Sequence, residues 1–177
     1  LSLIMLLLLS PIFLLVGFLI LFEDGFPLFF TQNRVGKDYS FFNIYKFRSM
    51  KKDTPNVATH LLDNHSQYVL KTGAILRKLS LDELPNLINI MKGEMVFVGP
   101  RPALYNQDDL MALRVAANVH KLKPGITGWA QINGRDELSL EEKVAYEVEY
   151  LERKSFWFDF RILVLTFSSV LKSQGVK

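Results

Sequence analysis

The longest uninterrupted apolar segment lies at the start of the chain, and the pattern of polar residues changes sharply after it. Residues 1–22 carry no charged side chain, and Glu23 and Asp24 follow directly. A helix of about 20 apolar residues is long enough to cross the hydrocarbon core of a bilayer. The segment therefore predicts a membrane element, and the two acids mark the point where the chain returns to water.

A serine–proline pair, Ser10-Pro11, interrupts this apolar segment near its middle. Proline removes a backbone donor and clashes with the carbonyl four residues earlier, so it kinks or breaks a helix. In hydrocarbon the freed carbonyl needs a new partner, and the Ser10 hydroxyl can supply one. Two courses fit these residues: a kinked helix that spans the bilayer, or two short arms that enter and leave by the same face. The segment alone slightly favours the spanning helix.

Residues 23–177 show the mixed pattern of one folded domain with short strands and amphipathic helices. The segment PLFFTQNRVG predicts a strand that ends in a turn at Val35-Gly36. The segment SFFNIYKFRSM predicts a second strand, with Lys46 and Arg48 on the same side because side chains alternate along a strand. That basic pair suits either a solvated face or a site for anions. Together with the helices below, these strands predict an α+β domain that is mostly helical.

Two serine–glutamate signatures predict helix starts. Ser80 and Glu83 have the spacing of a capping box, and the apolar residues after them predict a helix that ends near Gly93. Ser139 and Glu142 have the same spacing before a highly charged helix.

The last predicted helix carries an apolar stripe at helical spacing, formed by Trp157, Phe160, Val164, Phe167 and Leu171. This segment is too short and too charged to span a bilayer. It is either an ordinary core helix or a helix partly seated in the membrane interface. The apolar segment at the start of the chain favours the interfacial helix.

Composition narrows the possible partners. The net charge is +3, and the chain has no cysteine. A mild basic excess beside an apolar segment suits an anionic membrane surface or a phosphate-bearing substrate, and it is too weak and scattered to indicate nucleic acid. The lack of cysteine excludes a disulfide framework and a thiolate metal site.

Two adjacent carboxylates, Asp82 and Glu83, are the best candidates for chemistry. Helix capping and the favourable position of acids at a positive helix end would explain them without any function. Their neighbours favour a functional role in addition, because Arg77 and Lys78 precede the two acids and Arg101 follows them. Carboxylates beside anion-binding groups are useful if a divalent metal mediates between them and a phosphate, or if a carboxylate attacks phosphorus.

Two rigid loops carry further arginines. Arg101 lies between Pro100 and Pro102, which restrict the backbone on both of its sides. A guanidinium held in this way suits bidentate contact with phosphate. The second loop, KPGITGWAQINGR, is rich in glycine and ends at Arg135. It matches no P-loop or dinucleotide fingerprint.

Four motifs in this order resemble the bacterial sugar transferase family, the monotopic polyprenyl-phosphate phosphoglycosyl transferases. They are LLLLSPIFLL, YKFRSM, SLDELPNLINIMKGEMVFVGPRP and KPGITGWAQINGR. The resemblance covers essentially the whole chain, and it is greatest to the small members, which consist of little beyond the catalytic unit.

The resemblance implies a magnesium-dependent transfer of a phosphosugar from a UDP-sugar to polyprenyl (undecaprenyl) phosphate, with release of UMP. This reaction is the first membrane step in the assembly of a glycoconjugate or polysaccharide. The implied mechanism is ping-pong, through a covalent phosphosugar on Asp82, with Glu83 holding Mg²⁺ or assisting the second half-reaction. Both acids are candidate metal ligands. The family's basic positions, which are candidate contacts for nucleotide, sugar or lipid phosphate, fall on Lys46, Arg48, Arg77, Arg101 and Arg135.

The resemblance also implies a topology. Residues 1–22 would form a re-entrant membrane helix broken at Ser10-Pro11, and residues 23–177 a single catalytic domain with membrane-interface helices. The catalytic domain would lie on the cytoplasmic face of the bacterial inner membrane, with Asp159 fixing the last helix against it. The alternative is a non-catalytic membrane adaptor that binds lipid phosphate or a partner enzyme, although an adaptor need not keep both acids. The sugar, the pathway and the oligomeric state do not follow from the sequence.

Overall fold

The computed structural model describes residues 2–54, 65–134 and 137–171. Within these ranges the α-helices are α1 (Ser2–Asp24), α2 (Lys71–Lys78), α3 (Asn86–Met91), α4 (Asp108–Ala116), α5 (Trp129–Ile132), α6 (Leu140–Arg153) and α7 (Phe156–Leu171). The strands are β1 (Phe29–Val35), β2 (Phe41–Phe47), β3 (Val96–Val98), β4 (Ala103–Leu104) and β5 (Gly125–Thr127). Short 3₁₀ turns occur at Lys37–Tyr39, His65–Tyr68, Leu81–Glu83 and Val119–Lys121. The prediction of a mostly helical α+β fold is confirmed.

The strands form two small sheets. In the first sheet β1 lies between β2 and β4 and is antiparallel to both. The pairing of β1 with β2 runs from Phe29 opposite Phe47 to Val35 opposite Phe41, which confirms the predicted pair of strands and the turn between them. The second sheet consists of β3 and β5, which are parallel.

The parallel pair continues into a close contact between two loops. A side-chain carbon on Gly125 would lie 2.2 Å from the main-chain nitrogen of Gly99, and one on Gly99 would lie 2.5 Å from the Lys123 carbonyl oxygen. Only glycine fits at these two positions, because any side chain would overlap with backbone atoms that cannot move away. The loop after β3 is thereby held against the loop before β5.

Helix α1 packs on the domain and is anchored at its C-terminal end. Val16 and Ile20 are buried in one core cluster with Phe47, Leu70 and Leu76. Just beyond them, the Glu23 carboxylate accepts hydrogen bonds from the main-chain N–H groups of Lys71 (2.6 Å) and Thr72 (2.9 Å) at the start of α2. This carboxylate satisfies donors that a helix start leaves without intrahelical partners.

The helix continues through Pro11 as one element. Pro11 cannot donate to the Leu7 carbonyl, and the Ser10 hydroxyl donates to that carbonyl instead, at 2.7 Å. The expected use of Ser10 is confirmed. The predicted break at Ser10-Pro11 is not confirmed, because this compensation keeps the helix uninterrupted. By length and composition α1 could cross a bilayer.

Helix α7 has one face in the core and one face exposed. Phe158 and Ile162 are buried against Val98 and Tyr150, whereas Trp157 is 76% exposed and Phe167 is 68% exposed. Phe160 and Val164 of the predicted stripe are exposed as well, and the side chain of Leu171 lies outside the described residues. The stripe is therefore not part of an ordinary core. Exposed apolar surface of this extent marks a contact with a membrane or a partner.

The contacts of the two C-terminal helices agree with the sequence. Ser139 and Glu142 form the predicted capping box: the Ser139 hydroxyl accepts from the Glu142 N–H, and the Glu142 carboxylate accepts from the Ser139 N–H. The Tyr150 hydroxyl lies within hydrogen-bond distance of the Asp159 carboxylate (2.8 Å) and the Val98 carbonyl oxygen (3.0 Å). Asp159 thus connects α7 to α6 and β3.

Candidate active site

The carboxylate pair lies in a 3₁₀ turn between α2 and α3, and the predicted capping box is wrong. Ser80 adopts a left-handed conformation (φ 54°) and ends α2, and its side chain caps nothing. The Glu83 N–H instead donates to the main-chain oxygen of Ser80 at 3.3 Å. Pro85 precedes α3, which begins at Asn86 and not at Ser80 as the sequence predicts. The Glu83 side chain is therefore available for other partners.

Glu83 is buried and pairs with two cations that are distant in the sequence. The Lys46 ammonium, on β2, donates to Glu83 Oε1 at 2.7 Å, and Arg101 Nη1 forms an ion pair with the same oxygen at 3.5 Å. These are charge-assisted contacts, and a charge-assisted hydrogen bond such as that from Lys46 is about twice as strong as a neutral one. They join the strand, the 3₁₀ turn and the Pro100–Pro102 loop around one carboxylate.

Asp82 is half-buried, and its charge is stabilised by several neighbours. Burial raises the pKa of Asp82 above its usual range, because a carboxylate loses hydration there. Lys46 opposes this rise, the adjacent Glu83 adds to it, and Arg77 and Arg101 oppose it further. Both carboxylates of the pair therefore share the field of one group of cations.

A cavity of about 230 Å³ opens next to the carboxylate pair. Its polar end is formed by Glu83, Arg101 and Lys78, and most of the remaining wall is apolar, including Met5, Phe97 and Val170. Met5 belongs to α1 and Val170 to α7, the two helices with exposed apolar faces. The cavity therefore connects the charged site with the part of the molecule that is suited to lipid.

The structure brings some of the predicted basic residues to the pair and directs others elsewhere. Lys46, Arg77 and Arg101 act electrostatically on Asp82. Arg48 is buried and donates to the Asp24 carboxylate and to the main-chain oxygens of Asp24, Pro27 and Gly25. These contacts give Arg48 partners within the fold, and its substrate contact stays a prediction. Arg135 lies outside the described residues.

One cation near the pair was not predicted from the sequence. Arg34 of β1 lines a small cavity together with Lys46, Glu83 and Arg101. Burial lowers the pKa of Arg34 to about 10, with a further lowering by Arg101 and an opposing effect of Glu83. The only sequence signal for Arg34 is a charged residue in an otherwise uncharged strand segment, which is too common to indicate a site.

The arrangement suits a divalent cation only in combination with a ligand. Among residues 2–54, 65–134 and 137–171, no three histidine, cysteine or acidic side chains come together as a metal site. Mg²⁺ usually takes one or two carboxylates and completes its shell with water and substrate phosphates. Asp82 and Glu83 fit such a partial site, and the donor set is too small for a closed structural metal site.

Carboxylates, clustered cations and an adjoining apolar cavity together define a site for an anionic ligand with an apolar part. The chain belongs to the bacterial sugar transferase family, whose model matches residues 1–173. This membership confirms the resemblance drawn from the motifs, and it covers both α1 and the carboxylate pair.

Curated relatives agree with this membership. The chain is 44% identical over 153 residues to the uncharacterized sugar transferase EpsL of Bacillus subtilis, covering 86% of this chain and 74% of the relative. It is 40% identical to the UDP-glucose:undecaprenyl-phosphate glucose-1-phosphate transferase of Escherichia coli, covering 91% of this chain and 36% of that enzyme. It is 38% identical to the exopolysaccharide production protein ExoY of Rhizobium meliloti, covering 96% of this chain and 81% of the relative.

Proposed function

We propose that the protein transfers a phosphosugar from a UDP-sugar to undecaprenyl phosphate, yielding undecaprenyl-diphosphate-sugar and UMP. The main support for this proposal is that the two carboxylates of the pair have different environments. Glu83 is held by Lys46 and Arg101, whereas burial destabilises the charge on the neighbouring Asp82. Glu83 positions the cations, and Asp82 is the reactive carboxylate beside them.

In the first half-reaction an Asp82 carboxylate oxygen attacks the sugar-bearing phosphorus of the donor. The bond from this phosphorus to the bridging oxygen breaks, UMP leaves with the electron pair, and Asp82 carries the phosphosugar. Like-charge repulsion opposes the approach of a carboxylate to a diphosphate, and Lys46, Arg77 and Arg101 offset this repulsion. A covalent intermediate divides one difficult transfer into two easier steps.

In the second half-reaction an oxygen of the lipid phosphate attacks the same phosphorus. The bond to Asp82 breaks, and the free carboxylate is restored. The apolar cavity supports this step, because it reaches Glu83 and Arg101 from the side of α1 and α7. A prenyl chain in this cavity would place its phosphate at the polar end.

The proposal includes Mg²⁺, with Asp82 and Glu83 as its protein ligands. When bound, the ion would neutralise part of the charge on the donor diphosphate and on the leaving UMP. Asp82 has the greater freedom to hold it, since one oxygen of Glu83 is already paired with Lys46 and Arg101.

The alternative of a non-catalytic adaptor is tested directly by UMP release. The purified protein is mixed with undecaprenyl phosphate in membrane nanodiscs, Mg²⁺ and each member of a panel of UDP-sugars. We expect UMP to form with one or a few of these donors, which would also identify the sugar. UMP formation with none of them, from protein that is folded and seated in the membrane, would favour the adaptor.

We also propose that α1 is re-entrant and that the domain lies on the cytoplasmic face. The less exposed positions of α1 include Met5, Leu9, Phe13, Val16 and Ile20, which follow one face of the helix on both sides of Pro11. The position of Met5 beside the carboxylate site supports a course in which both halves stay with the domain.

Cysteine labelling tests this topology, and the absence of native cysteine makes single-cysteine variants unambiguous. We expect Ser2→Cys and Phe26→Cys to react with a membrane-impermeant maleimide in inside-out vesicles and to be protected in intact cells. Phe26 is 68% exposed, which makes it a better site than Gly25 with its positive φ of 66°. Reaction of Ser2→Cys from outside the cell would contradict the re-entrant course.

Pro11→Leu tests whether proline determines this course. Leucine restores the backbone donor and has high helix propensity, so the segment should shift towards spanning and expose Ser2→Cys to the outside. Ile12→Leu is the matched control, since it changes the neighbouring residue and leaves the proline in place. An unchanged labelling pattern in Pro11→Leu would show that another feature sets the topology.

Arg101→Lys tests the use of a planar guanidinium. Lysine keeps the charge but loses the fork that binds two phosphate oxygens at once. We expect kcat/KM for UMP release to fall by at least about tenfold, the scale of one charge-assisted hydrogen bond in a transition state. Arg153→Lys, on the exposed face of α6, is the control and should retain activity. A rate near that of the unchanged protein would mean that Arg101 acts only as a point charge.

A further inference from the structure

The loop that carries Arg101 has few main-chain donors of its own. Pro100 and Pro102 have no N–H group, so the loop is held mainly through its carbonyl oxygens. All three consecutive carbonyls accept a hydrogen bond from a different part of the fold. The Pro100 oxygen accepts from the Gly125 N–H at 2.9 Å, next to the close contact between the two glycine loops.

The Arg101 carbonyl accepts from a buried arginine of α4. Arg114 Nη2 donates to this oxygen at 2.9 Å, and Arg114 Nε donates to the Glu147 carboxylate of α6 at 2.8 Å. Nη2 of Arg114 also donates to the second Glu147 oxygen, so the guanidinium and the carboxylate form a bidentate pair. Arg114 is 6% exposed and Glu147 is 3% exposed, which leaves little room for the guanidinium to turn towards a ligand.

The Pro102 carbonyl accepts from the half-buried arginine of β1. Arg34 Nη1 donates to this oxygen at 3.0 Å, and Arg34 Nη2 donates to the Gln32 side chain at 2.6 Å. Two arginines from different elements, β1 and α4, therefore fix two adjacent carbonyls of one loop. The side chain between them is Arg101, which reaches to 3.5 Å from Glu83.

We infer that Arg34 and the Arg114–Glu147 pair are positioning residues that hold the Arg101 guanidinium in its working orientation. A buried ion pair is rarely the most stable way to join two helices, because desolvation cancels much of the attraction. Its bond to the Arg101 carbonyl gives it a task that an apolar pair could not perform. The inference rests on the proposed function, in which Arg101 contacts substrate phosphate.

A double-mutant cycle separates positioning from stability. Arg114→Met/Glu147→Met replaces the whole pair with apolar side chains of similar length, a change that buried pairs often tolerate. Arg34→Met separately removes the hydrogen bond to the Pro102 carbonyl. Each change is made alone and together with Arg101→Ala, and kcat, KM for the UDP-sugar and the melting temperature are measured for all of them.

We expect each change to lower kcat/KM by about tenfold when Arg101 is present, since a misplaced group loses much of its effect on the transition state. In the Arg101→Ala background the same change should alter kcat/KM by less than about twofold, because the side chain that it positions is gone. The shift in melting temperature should be equal in the two backgrounds. Arg153→Met, which removes the surface pair with Glu149, is the control and should leave both cycles unaffected.

Equal losses of kcat/KM in both backgrounds would overturn the inference, since the residues would then act by a route that does not include Arg101. If the double methionine variant does not fold, Arg114→Lys carries the test, because it keeps a cation beside Glu147 and loses the fork that reaches the carbonyl. Absence of UMP release from the unchanged protein would contradict the proposed function itself. If the unchanged protein is active but the losses of kcat/KM are additive in the cycles, only the positioning role is contradicted.

Discussion

Asp82→Asn is expected to reduce turnover to the background rate and to leave the fold intact. Asparagine has the shape of aspartate but lacks the negative charge that attacks phosphorus, so no covalent intermediate can form. Burial already destabilises the Asp82 charge, as the raised pKa indicates. A neutral amide should therefore not cost folding stability. The measurements are UMP release with saturating UDP-sugar and undecaprenyl phosphate, and the melting temperature.

Asp108→Asn is the matched control for this change. Asp108 lies in the first turn of α4, is exposed, and is not among the residues that act on the site. It should retain activity. Substantial turnover in Asp82→Asn would mean that the lipid phosphate attacks the donor directly, without a covalent enzyme intermediate.

Glu83→Gln is expected to lower kcat by about a hundredfold, the scale found when one element of transition-state electrostatics is removed. Glu83 Oε1 forms ion pairs with both Lys46 and Arg101, so loss of its charge loosens both cations. The Mg²⁺ concentration for half-maximal rate should rise. The melting temperature should also fall, because a buried cation loses part of its counter-charge.

Glu142→Gln is the control for the second acid. Glutamine can keep the Ser139 capping box, so neither rate nor stability should change much. If Glu83→Gln lost stability but kept its rate and its Mg²⁺ dependence, Glu83 would be a structural acid. The proposal would then rely on Asp82 alone.

The sequence could predict which residues form the site better than how they are held there. The S-x-x-E spacing at Ser80 suggests local capping, but the partners of Glu83 are Lys46 and Arg101, which local spacing cannot indicate. The same spacing at Ser139 does form a capping box, because no distant cation within the described part of the chain pairs with Glu142. Identical local signals therefore had different outcomes, and the tertiary partners decided between them.

The prediction that Lys46 and Arg48 lie on the same side of a strand was wrong, because the strand ends before Arg48. Lys46 and Arg48 would share a face if β2 continued, but β2 ends at Phe47 and Arg48 turns to Asp24. Arg34 and Arg114 could not be predicted as parts of the site, since each donates to main-chain carbonyls that have no sequence signature.

The apolar segments were easier to predict, because length and periodicity are properties of the segment itself. Helix α1 and the exposed stripe of α7 follow the sequence pattern closely. The effect of Pro11 was not fully predictable, since it depends on whether a nearby hydroxyl satisfies the Leu7 carbonyl, as Ser10 does.

A covalent phosphosugar on Asp82 can be detected as a change in the mass of the intact protein. The purified protein is mixed with Mg²⁺ and the UDP-sugar selected by the donor panel, without lipid, and its mass is recorded before and after undecaprenyl phosphate is added. We expect a gain of one phosphosugar, which peptide mapping places on Asp82 and which is lost when the lipid is added. An unchanged mass in protein that releases UMP once lipid is present, or an adduct on another residue, would contradict it.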